Sequence, residues 1–114
     1  MILDKLKEEI PQSIQAYFPG AIISIAEKRG ILFELRAKLD EATFIEVYVN
    51  VLTGKKSFAL ISKGERAMGY DNYRGWHSHP PDEPNNHIPC VEPDLNSILS
   101  SFKEVLEMKS RPSE

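Results

Sequence analysis

Four turn signals at near-regular spacing constrain this chain more than anything else in it: Lys28-Arg29-Gly30, Asp40-Glu41, Thr53-Gly54-Lys55 and Lys63-Gly64. Between them the apolar residues recur at every second position. Ile31, Phe33, Leu35, Ala37 and Leu39 share one face, with Leu32, Glu34, Arg36 and Lys38 on the other. The next run repeats the pattern, with Ile45, Val47, Val49 and Val51 opposed to Phe44, Glu46, Tyr48 and Asn50. Residues 21–26, 57–62 and 66–70 read as three further short strands. Connections this short force antiparallel pairing, because a parallel return needs a crossover of about a dozen residues. The expectation is a five-stranded antiparallel meander.

Helices flank that sheet. Leu3, Leu6, Ile10, Ile14, Tyr17 and Phe18 recur at intervals of three and four, which makes one apolar stripe on an N-terminal helix. Pro11 is expected to kink or interrupt it, and Pro19-Gly20 ends it. Near the other end, Leu95, Ile98, Leu99, Phe102, Val105 and Leu106 form a second stripe. Pro93 suits the first helical position there, and Asp94 complements the positive end of the helix dipole. The fold class is therefore α+β, with a helix at each end packed on the sheet. Residues 1–108 read as one domain and 109–114 as a frayed tail; 114 residues suffice for one independently stable core.

Composition excludes several function classes. No apolar run approaches the roughly 18 residues of a membrane span, and the start lacks the cationic region and apolar core of a signal peptide. A cytoplasmic protein without membrane contact is expected. The lone Cys90 rules out an intrachain disulfide framework, which agrees with a reducing compartment. The net charge of −3 counts mildly against nucleic-acid binding. Between residues 55 and 76, however, the cations Lys55, Lys56, Lys63, Arg66 and Arg74 face only Glu65 and Asp71.

Chemistry is concentrated in the segment from Gly69 to Asp94. All three histidines, His77, His79 and His87, fall there, with Asp71, Asn72, Tyr73, Arg74, Trp76, Asp82, Glu83 and Cys90, and so do five of the eight prolines. The prolines make residues 69–91 read as an ordered or ligand-ordered loop rather than a strand. In an extended stretch His77 and His79 project to the same side. Two imidazoles can then divide the proton transfers of RNA cleavage, one removing the 2′-hydroxyl proton and the other protonating the leaving oxygen. On this reading His77 and His79 are the acid-base pair and His87 supports them, with no metal required. Arg74 would hold phosphate, and Trp76 and Tyr73 would stack bases. Asp71-Asn72 is a turn-forming pair whose side chains bond the backbone, and it is also counted among the substrate-binding residues. The same residues also permit zinc bound by His77, His79 and either His87 or Cys90, with a fourth position open to water. A third option is a noncatalytic module that binds a partner through the exposed loop.

Two resemblances bear on this choice. Gly75-Trp76-His77-Ser78-His79-Pro80 resembles the His-x-His-Pro signature of JAMM-type metalloproteases, which implies zinc-activated water acting on peptide or isopeptide bonds. It covers six residues, and the positions matching the family's later serine and aspartate are His87 and Cys90. A longer stretch is similar to the TumE toxins of two-gene toxin-antitoxin modules. It begins at Gly69-Tyr70-Asp71-Asn72, continues through Trp76-His77-Ser78-His79 and the Pro-rich loop to His87, and ends in the helix from Glu92 to Met108. That resemblance implies a sheet, an aromatic-Asp-Asn turn, a His-rich loop and a closing helix, with ribonuclease activity restrained by a protein antitoxin carrying a helix-turn-helix domain. The positions it carries over are Asp71, Asn72, His77, His79 and His87. The expected partners are RNA and that antitoxin, with a homodimer left open.

Overall fold

Each strand in the chain hydrogen-bonds to its sequence neighbours, as the short turns demand. The computed structural model describes residues 2–81, 83 and 85–109. In chain order the elements are α1 (Ile2–Tyr17), β1 (Ile22–Lys28), β2 (Leu32–Asp40), β3 (Thr43–Asn50), β4 (Lys56–Ser62), β5 (Glu65–Asp71), β6 (His77–His79), β7 (Ile88–Pro89) and α2 (Leu95–Lys109). The sheet runs β1-β2-β3-β4-β5-β6-β7, antiparallel throughout. At the β1–β2 hairpin Arg29 and Gly30 both take positive φ, 56° and 66°, and Ile31 N donates to Lys28 O at 3.0 Å. That is the primed turn whose twist matches the flanking strands.

Among the described residues the meander therefore has seven strands rather than five. The segment 69–91, expected to be a strandless loop, contributes β6 and β7. They are three and two residues long, too short for a period-two signal to stand out among prolines. Pro89 is tolerated because β7 is the sheet edge, where a missing N–H breaks no ladder. Two helix expectations also shift. Helix α1 passes through Pro11 without interruption. Ile10 and Ile14, on either side of it, are buried in the core and offset the hydrogen bond that proline removes. Helix α2 starts at Leu95, not Pro93. Asp94 is its cap: Ser97 N donates to Asp94 Oδ1 at 2.7 Å and Ile98 N to Asp94 O at 3.1 Å. Of the expected tail, residues 110–114 lie outside the described ones.

Cross-strand register sorts the residues onto two faces. Phe33, Val49, Leu35, Val47, Ala37, Ile45, Phe58, Leu60 and Met68 pair among themselves and form, with Ile10 and Ile14 of α1 and Ile98, Leu99, Phe102 and Val105 of α2, one hydrophobic core. Tyr70 continues this face and donates from its hydroxyl to Ser101 Oγ on α2 at 3.2 Å. Both helices thus cover one face. Along the other face, successive pairings carry a row across the sheet through Glu34, Tyr48, Ser57, Asp71, His77 and Pro89. A neighbouring row runs through Arg36, Glu46, Ala59, Gly69 and His79. No helix among the described residues is long and apolar enough to cross a membrane.

Candidate functional site

The open face ends at a cluster that the register builds. β6 places His77 opposite Asp71 and His79 opposite Gly69. Continuing the β6–β7 pairing of Ser78 with Ile88 by one residue sets His87 beside His79. Three imidazoles and one carboxylate therefore meet on one face, from two strands and the residue that enters a third.

His79 pairs across the strands with Gly69, itself opposite Ala59, and is only 1% exposed. A Cβ on Gly69 would stand 3.0 Å from Phe58 O and 3.3 Å from Arg66 Cδ, so the backbone there admits no side chain without moving. The buried imidazole has a carboxylate partner: His79 Nε2 lies 2.5 Å from Asp71 Oδ2. Burial by itself would raise Asp71's carboxyl. The hydrogen bonds from His79 and from the Tyr73 amide, with the nearby charges of His79 and His87, outweigh that and hold it below the usual carboxylate range. Asp71 thus orients His79.

The other two imidazoles are more accessible. His87 is exposed, its ring centroid 4.5 Å from His79 and 5.8 Å from His77, edge-on to both. His77 is half-buried, and its Nδ1 is enclosed without a hydrogen-bond partner. An enclosed nitrogen left unbonded costs about 1–3 kcal/mol, a cost that folds tend to keep where a ligand or reaction uses the group. Asp71, His79 and His87 each also offer a ligand atom within 4.8 Å of the others, and this is the metal-capable group among the described residues.

The remaining sequence candidates divide. Asn72 is structural: its Oδ1 accepts from Lys56 N at 2.7 Å and its Nδ2 donates to Gly54 O at 2.8 Å, tying the β5–β6 turn to the β3–β4 turn. Tyr73 is 58% exposed at the tip of that turn, flanked by Lys55 Nζ at 5.1 Å and the Arg74 guanidinium at 5.5 Å from its ring. Trp76 packs against the hydrophobic core on the helix side, away from the histidine face. Cys90 follows β7, its amide donating to Trp76 O at 3.0 Å, and is not among the converging ligands. The set His77, His79 and Cys90 is therefore not gathered here. Asp82 lies outside the described residues, and Glu83 accepts from the Asn86 side chain within the loop.

Two residues take places on this face that the sequence did not give them. Asp71, read as a turn former and substrate residue, is the partner of His79; a hairpin closing between 71 and 77 would have revealed it. Arg66 projects over Gly69 on the histidine face, a position fixed by the bulge between Leu60 and Ile61. Beyond it the open face holds a shallow cavity of about 530 Å³ lined by Arg36, Glu46, Tyr48, Ser57 and Ala59. No family model, curated protein or solved structure matches the chain.

Proposed function

We propose that this chain is an RNA-cleaving domain of the toxin type, in which His77 and His87 act as the acid-base pair without a metal. One observation carries the reading: the two accessible imidazoles sit 5.8 Å apart on one open face, above the Asp71–His79 pair. A base and an acid that each reach about 3 Å to a reacting oxygen span about that distance across a phosphate. One imidazole takes the proton of the ribose 2′-hydroxyl as its oxygen attacks phosphorus. The other delivers a proton to the departing 5′-oxygen, leaving a 2′,3′-cyclic phosphate and a 5′-hydroxyl.

The roles differ from those the sequence suggests. His79, closed off from solvent and bonded to Asp71, positions His87 through their ring contact instead of meeting substrate. Arg66, on the histidine face, supplies the cation for the phosphorane charge. Arg74 stands with Tyr73 and Lys55 in the neighbouring turn, where a cation pair and an exposed ring suit a single strand arriving at the site. A protein antitoxin with a helix-turn-helix domain is the matching inhibitor, and an adjacent reading frame encoding one would support it.

The test is cleavage of single-stranded RNA by protein kept in EDTA. Parent protein should cut, while His77→Ala and His87→Ala should each lose about 100-fold or more, the usual worth of one acid or base. Parental rates in both variants would remove the proposal.

A further inference from the structure

We infer that Asp71, His79 and His87 form a binding site for a zinc-class divalent ion, and that filling it withdraws His87 from its pairing with His77. The first half stands on the donor set alone; the second rests on the nuclease reading above.

Two imidazole nitrogens and one carboxylate oxygen are the ligand types that zinc prefers when cysteine is not used. Tetrahedral ligands about 2.0–2.2 Å from the ion stand roughly 3.3–3.5 Å from one another. The three ligand atoms already lie within 4.8 Å of each other, so closure requires a shift of only about an ångström. The shift falls on the side chain free to make it. His79 is fixed by burial and Asp71 by the Tyr73 amide, whereas His87 is exposed and precedes the two-residue edge strand β7. A three-ligand set leaves a fourth position to water, as in zinc sites that exchange ligands. His77 stays outside the set, so an ion held here separates the two imidazoles: His87, with a lone pair committed to the metal, no longer accepts a proton from substrate.

The test uses the full chain stripped with chelator and titrated with zinc chloride by calorimetry, then with cobalt(II) read by its visible absorption. One equivalent should bind per chain, with cobalt giving the intense bands of tetrahedral coordination. His87→Ala, at an exposed position, should weaken binding about ten-fold or more, and Asp71→Asn should do the same. His77→Ala and Cys90→Ser should stay within about two-fold of parent. Circular dichroism of each variant separates ligand loss from unfolding. Absence of binding, binding indifferent to His87→Ala, or binding lost with Cys90→Ser would each overturn the assignment. In the RNA assay, one equivalent of zinc should suppress cleavage and EDTA restore it. Zinc that binds through these residues but accelerates cleavage would leave the ion site standing and overturn both its inhibitory role and the metal-free nuclease. Metal-free cleavage with no zinc bound would do the reverse.

Discussion

Removing the carboxylate of Asp71 should expose how much of this domain's stability lies in its histidine cluster. His79 is 1% exposed and its Nε2 lies 2.5 Å from Asp71 Oδ2, whose side chain is 17% exposed. Hydrogen bonds to charged groups contribute about 1.5–3 kcal/mol, and neutral ones about 0.5–1.5. Asp71→Asn keeps an acceptor but not the charge, so it should cost about 1–1.5 kcal/mol, whereas Asp71→Ala should cost about 1.5–3. For a domain near this size each kcal/mol moves Tm by about 4 °C, giving losses of roughly 4–6 °C and 6–12 °C. Thermal unfolding in EDTA, followed by circular dichroism, reads both. The diagnostic step is the cycle with His79→Ala: the double variant should be less destabilised than the sum of its singles by at least about 1 kcal/mol. A coupling below about 0.5 kcal/mol, the scatter for independent sites, would refute the claim that these side chains act as a pair.

Three further outcomes are expected. Gly69→Ala should destabilise by about 1–3 kcal/mol, because the added methyl meets Phe58 O at 3.0 Å and Arg66 Cδ at 3.3 Å; a neutral or stabilising result, the usual effect of alanine in a strand, would contradict that close approach. Asp94 is held below the usual carboxylate range by its hydrogen bonds to the Ser97 amide and hydroxyl. A carboxyl lowered in the folded state stabilises above its unfolded value near 4 and loses that contribution as pH falls through the folded value. The gap in urea midpoint between parent and Asp94→Ala should therefore be wide at pH 6 and narrow below about pH 4; a constant gap would dismiss the charged cap. Tyr73→Ala should weaken binding of a single-stranded RNA about five-fold or more by fluorescence anisotropy, given the roughly 1–3 kcal/mol that one stacked base contributes, without changing the unfolding temperature; unaltered affinity would take the β5–β6 turn out of the substrate path.

What the sequence makes legible follows the strength of local signals. β2 and β3 are eight or nine residues of strict alternation between turn pairs, and their faces can be read directly. The stripe on α2 is equally plain, since Ile98, Leu99, Phe102 and Val105 are all buried. β6 and β7 are not legible, because three residues and two give no periodicity, and Pro80 and Pro89 argue for a loop. The histidine cluster was visible as a concentration of residue types, yet its internal order was not. The buried imidazole is His79, which pairs with Gly69 and through it lines up with Ala59, and that is a matter of pairing across three strands. The same non-local register turns Asp71 from a turn residue into a partner and brings Arg66 rather than Arg74 to the histidine face.

The proposed chemistry is proton transfer by His77 and His87 to and from ribose and phosphate oxygens. It is tested most directly by end analysis of cleaved substrate: an RNA oligonucleotide and its all-deoxy counterpart, incubated with metal-free protein, with product termini identified by mass spectrometry. Cleavage of the ribose strand alone is expected, with 2′,3′-cyclic phosphate and 5′-hydroxyl ends. Cleavage of the deoxy strand at a similar rate, or 5′-phosphate ends on the RNA, would contradict it, because either requires water and not the 2′-oxygen as nucleophile.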